Sequence, residues 1–189
     1  MALQIACQFA RDGLKTVLFA GEEPQEDLIG TGEGLGFGPL ELIHENILQI
    51  TDLARQADAT TIVKGDYDVV GMGHQVEVAV KKFEGKAMVL DSVTALFSPN
   101  PSEDRLRSHF AHLIHTFRKY DLASVVTAEA PADYAFRTTL GVEDYVCDAV
   151  IILRNLIDDE RRRRSIEVHK YRRSAHQKAS IPAYSDRKD

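Results

Sequence analysis

The order of apolar and polar positions lays out an alternating α/β chain. Residues 1–12 carry Leu3, Ile5, Ala6, Phe9 and Ala10 close to one helical stripe, with Gly13 where a C-terminal cap belongs. Residues 16–21 form a continuous apolar run of the kind buried on both faces of a parallel sheet, and they deliver Glu22 and Glu23 to the carboxyl end. Pro24 suits the first turn of a helix over residues 25–29, which gives way to a glycine-rich turn region at 31–39. A short helix over 40–45, a strand over 47–51, a long surface loop over 52–71 and a helix over 75–83 follow. Residues 87–90 are another buried strand, running straight into Asp91 and Ser92.

Residues 102–120 read as an amphipathic helix with Ser102 as N-cap and Glu103 and Asp104 in the first turn. Buried strands are predicted over 123–128 and 150–153. A charged turn over 158–164 then leads to 165–171, whose alternation predicts an antiparallel edge hairpin. Strand and helix alternate through residue 154, so the expected fold is a three-layer α/β arrangement with a mainly parallel sheet and a small antiparallel extension.

Composition narrows the reading only in places. With 189 residues there is room for one domain, expected over 1–189. A formal net charge of −6 argues against a nucleic-acid surface over the whole chain. Cys7 and Cys147 match no zinc or redox spacing and are expected to be reduced thiols of a cytoplasmic protein. No apolar run reaches the ~18 residues of a membrane span, and the N-terminus lacks the layout of a signal peptide. The first helix begins with nothing before it to cap it, so the sequence is expected to open in the middle of a unit.

Candidate chemistry gathers at strand ends. In open α/β sheets ligands bind beyond the carboxyl ends of the strands. Asp91 there can hold a magnesium ion against nucleotide phosphates, or simply cap the next turn. Glu22 and Glu23 end another strand, and a later basic segment carries Lys170, Arg172, His176 and Lys178. One carboxylate on magnesium and another orienting a water is the minimum equipment for nucleotide hydrolysis. Elsewhere, His109, His112 and His115 are spaced by three, as a metal pair or as a partly exposed helix face. The run Arg161 to Arg164 reads as a solvated turn or as a contact for a subunit or an anion.

The stretches A-M-V-L-D-S-V-T-A-L-F, V-L-F-A-G-E-E-P and the segment over 141–178 resemble the KaiC family of RecA-type ATPases, in the style of its first domain. The resemblance covers nearly the whole chain. It implies a RecA-like fold with ATP and Mg²⁺ as cofactors, Asp91 serving the metal and Ser92 beside it at the nucleotide. It further implies Glu22 and Glu23 polarising the attacking water, and Lys170 and Arg172 reaching a neighbouring subunit's γ-phosphate. His176 and Lys178 would touch the base or sugar. The active site would be shared between subunits of a ring, usually a hexamer, with regulatory protein partners and no membrane. A cation supplied across a subunit boundary can contribute ~10³-fold or more to phosphoryl transfer.

Three departures from the family pattern stand out. Arg173 occupies a position where glycine is common. Asp144 and Tyr145 stand where the clock kinase domain has its Ser-Thr pair, which favours an ATPase over an autophosphorylating kinase. Most severely, the phosphate loop G-x-x-x-x-G-K-[ST] is absent, and Met1 falls just after its expected place. Losing one preorganised transition-state donor typically costs ~2.7–4 kcal/mol, so losing the whole cradle should abolish hydrolysis. The strand leading into that loop is central in such a sheet, and its absence leaves two inner edges unpaired. The expectations are therefore an N-terminally incomplete KaiC-like ATPase domain, a non-catalytic assembly or regulatory module, or, more distantly, a recombinase-like DNA-dependent ATPase.

Overall fold

Every residue of the first parallel strand is buried, and the rest of the N-terminal unit is arranged around it. The computed structural model describes residues 1–53, 69–96, 103–129, 142–158, 161–173, 175 and 181–182. The chain forms two compact units, Met1–Glu129 and Ala130–Asp189.

In the first unit, α1 (Ala2–Arg11) buries Ala2, Leu3, Ala6, Cys7 and Ala10 along one stripe. It ends at Gly13, whose φ of +85° a residue with a side chain would adopt only under strain. β1 (Thr16–Ala20) follows, then α2 (Gln25–Gly34), α3 (Pro39–His44) and β2 (Leu48–Asp52). After residue 68 come α4 (Val69–Phe83), β3 (Ala87–Asp91), a short 3-10 turn, α5 (Glu103–Lys119) and β4 (Ala123–Val126). The sheet order is β2-β1-β3-β4 and every pairing is parallel.

Strand alternation splits the core between two faces. Leu18, Ala20, Leu48, Ile50 and Val89 join the α1 stripe with Leu28 and Leu42. Val17, Phe19, Met88 and Leu90 point the other way, on the side of α4 and α5, and are fully buried. Those helices are clasped at their C-terminal ends by Glu77, which accepts hydrogen bonds from Lys81 at 2.7 Å and from the Tyr120 hydroxyl. Lys81 and then Tyr120 hold its carboxyl at a pKa of about 2.

The second unit holds α6 (Glu143–Val146) and an antiparallel sheet of β5 (Ala149–Asp158), β6 (Arg161–Tyr171) and β7 (Ile181–Pro182) in that order. A bulge between Val150 and Ile151 shifts the β5–β6 register. Leu153 pairs with Ile166, and Ile166 with Ile181; these three and Ile151 stay exposed.

Several expectations are corrected. The glycine-rich stretch is not all turn: α2 continues to Gly34 because Gly32 packs where a Cβ would stand 2.7 Å from Pro39 Cγ and 2.8 Å from Leu3 Cδ2. α4 starts six residues before the predicted Gln75, its beginning masked in the pattern by Gly71 and Gly73, both poor helix formers. β4 is not buried: Ala123 and Ser124 are exposed and Val125 and Val126 half-buried. Arg161 to Arg164 are strand rather than turn, paired with Asp158 to Asn155. Among the described residues strand β5 pairs with β6 in the antiparallel sheet. The predicted N-cap Ser102, residues 54–68 of the predicted loop and Glu160 lie outside the described residues.

Candidate functional site

Parallel registration brings the ends of β1, β3 and β4 to one level. Ala20 pairs with Asp91, and the Gly21 amide donates to the Asp91 carbonyl at 2.6 Å. The Thr127 amide donates to Leu90 O at 3.0 Å, and the Val93 amide to Thr127 O at 2.9 Å. The Asp91–Ser92 peptide is cis. Glu22, Asp91, Ser92, Thr94 and Thr127 thus meet at the carboxyl edge of the sheet.

Side-chain hydrogen bonds tie this edge together. The Ser92 hydroxyl, 5% exposed, donates to Glu22 Oε1 at 2.6 Å and lies 2.7 Å from Thr94 Oγ1. The Glu129 amide donates to Thr94 Oγ1 at 3.3 Å. Thr127 Oγ1 donates to Asp91 Oδ1 at 2.5 Å. Glu23, next to Glu22, is exposed. Glu22 is exposed as well, and the two glutamates differ in that Glu22 accepts the hydrogen bond from Ser92.

Magnesium is typically held by one or two carboxylates together with water and substrate phosphates, rather than by a cage of protein ligands. A half-buried Asp91, with one oxygen engaged by a hydroxyl, fits that donor set. Among the described residues no group of three or more His, Cys, Asp and Glu could hold a metal. His112 and His115 are exposed on α5. The phosphates are a different matter, because no G-x-x-x-x-G-K-[ST] occurs anywhere in the sequence.

Lys170 and Arg172 lie in the second unit, beside α6. The Lys170 ammonium donates to Cys147 O at 2.8 Å and to Asp144 O. Arg172 donates to Tyr145 O at 2.7 Å, and its guanidinium stands 3.6 Å from Asp148 Oδ1. The last carbonyls of a helix carry partial negative charge and lack intrahelical partners, so cations settle there. On the same hairpin, Arg154 donates to Glu167 Oε2 at 2.9 and 3.2 Å, holding that carboxyl below its ordinary range. His169 stands between Asp144 at 3.2 Å and Glu167 at 3.5 Å. His176 and Lys178 lie outside the described residues.

Thr94 and Thr127 belong to the edge although no motif in the sequence singles them out. The signal for them was hydroxyl residues just past two parallel strands, but which hydroxyl meets which carboxylate follows only from the β3–β4 register.

The mainly parallel α/β sheet is RecA-like, and its carboxylates gather at the carboxyl edge, where open α/β sheets bind their ligands. The family model for the KaiC ATPase matches residues 1–184, and the chain belongs to that family. It is 33% identical over 181 residues to the circadian clock protein KaiC3 of Synechocystis sp., covering 94% of this chain and 36% of that protein. It is 31% identical to the circadian clock oscillator protein KaiC of Picosynechococcus sp., over 94% of this chain and 35% of the relative. The same identity holds for a circadian clock oscillator protein KaiC of Prochlorococcus marinus, over 93% of this chain and 34% of the relative. The chain spans about a third of the length of these relatives. No helix among the described residues is long and apolar enough to cross a membrane.

Proposed function

We propose that residues 1–189 are a partial domain of a ring-forming, Mg²⁺-dependent ATPase with a signalling or regulatory role, and that they supply the carboxylate half of its site. The observation that carries this reading is the hydrogen-bonded meeting of Glu22 and Asp91 with Ser92 and Thr127 at the carboxyl edge. Magnesium, when bound with ATP, supplies positive charge against the phosphate oxygens. Asp91 holds the metal, and Ser92 serves the site through its bond to Glu22. Glu22 and Glu23 orient the attacking water and draw its proton away from the attacking oxygen. Lys170 and Arg172 act on a neighbouring subunit's γ-phosphate, while His176 and Lys178 contact base or sugar.

The phosphate loop is supplied by polypeptide other than these 189 residues. Among the described residues β4 bonds only β3, so that edge of the parallel sheet is open to a further strand.

The test is ATP turnover. The 189-residue chain alone should show none, whereas the protein carrying a strand and phosphate loop ahead of α1 should hydrolyse ATP with magnesium. In that protein Glu23→Gln should keep ATP binding and stop hydrolysis. Steady turnover by the short chain, or unchanged turnover in the variant, overturns the assignment. The missing loop also favours a second reading, a non-catalytic module that docks onto intact ring subunits. It predicts that the chain co-assembles with such subunits and alters their turnover while contributing none.

A further inference from the structure

The hydroxyls at this edge can carry their hydrogen bonds in only one direction. Ser92 has one proton and gives it to Glu22 Oε1, so the 2.7 Å contact with Thr94 must be donated by Thr94. Thr94 in turn receives the Glu129 amide. The result is a polarised chain, Glu129 N–H to Thr94 to Ser92 to Glu22, in which each bond strengthens the next. Separately, Thr127 is fixed by backbone bonds on both its amide and its carbonyl, and its hydroxyl reaches two oxygens of β3. Leu90 O is 3.3 Å away and Asp91 Oδ1 2.5 Å, so the proton goes to the carboxylate.

We propose that Thr94 and Ser92 are positioning residues for Glu22, and that Thr127 is the positioning residue for Asp91. The proposal rests on the ATPase reading above. It deepens that reading by giving the two carboxylates separate supports that fail separately. A ligating carboxylate stripped of its outer hydrogen bond typically loses 10–100-fold in metal affinity. A group that orients the attacking water shows its loss in kcat instead, since misplacement by about 1 Å can cost ~10²-fold.

In the phosphate-loop-bearing protein, Thr127→Val should weaken Mn²⁺ binding, read by electron paramagnetic resonance, by about tenfold or more. Thr94→Val should leave Mn²⁺ affinity and the KM for ATP unchanged and lower kcat by roughly 10²-fold. Thr127→Ser and Thr94→Ser keep the hydroxyl and should restore each property. Valine and serine variants that behave alike, or one variant that moves both readouts together, overturn the division. A structural arm needs no turnover. In crystal structures of the 189-residue chain, Glu22 should leave its place in Thr94→Val and keep it in Thr94→Ser. An unmoved Glu22 in both overturns the relay, whether or not the ATPase reading stands.

Discussion

Gly32 shows how one missing side chain decides a local structure. A methyl at that position would press on Pro39 and Leu3, at 2.7 and 2.8 Å, and the proline ring cannot swing aside. At Gly30, two residues earlier in the same helix, nothing lies within 4 Å. Alanine gains up to ~1 kcal/mol of helix propensity over glycine, while overpacking costs about 1–3 kcal/mol. Gly30→Ala should therefore raise the urea midpoint and Gly32→Ala lower it. Midpoints that move the same way would show that α2 does not lie against Pro39 and Leu3. The site divides similarly at this scale. Asp91 and Glu22 were legible because a carboxylate ending an apolar run is visible in one dimension. Thr94 and Thr127 were not, because their role depends on which strand lies beside which.

Among the elements, α4 and α5 are joined by a charge hub rather than by apolar packing alone. Glu77 is held at a pKa of about 2, against an ordinary 4.5, by Lys81 and Tyr120, with Lys119 3.9 Å away. A folded-state pKa below the unfolded one means that the stabilisation is complete above about pH 4.5. It is lost as pH falls toward 2. Unfolding followed from pH 6 down to pH 2 should show this loss, and Glu77→Gln should flatten that part of the profile. An unchanged slope in the variant would remove Glu77 from the clasp. Element types were readable wherever a single burial pattern ran undisturbed, as in α1, β1 and β3. They were misread where another influence prevailed. Cross-strand pairing drew Arg161 to Arg164 into β6, and tertiary contact extended α2.

For the whole molecule, the sheet order β2-β1-β3-β4 and the separate antiparallel sheet follow the α/β reading in outline. The allocation of β5 to the second sheet was not legible, since a run of apolar residues does not reveal its neighbour. The trans role proposed for Lys170 belongs to this scale. In the phosphate-loop-bearing protein, Lys170→Met subunits mixed with wild type should depress turnover more than in proportion to their share. On that proposal each such subunit removes a cation from its neighbour's site as well as losing its own contact. A strictly proportional decline would confine Lys170 to its own subunit.

If Lys170 and Arg172 act across a subunit boundary as proposed, the hold of α6 on them gives that exchange a dependence on ionic strength. In this chain both cations already have a home, chiefly on the neutral carbonyls of residues 144, 145 and 147. Reaching a phosphate is then a swap of one set of bonds for another. Dissolved salt acts unequally on the two sides: it screens attraction between full charges strongly and short contacts with neutral dipoles far less. Concentrated salt therefore favours the inward-turned cations and dilute salt the outward-turned ones, so the background electrolyte becomes a selector between a self-contained subunit and a connected one.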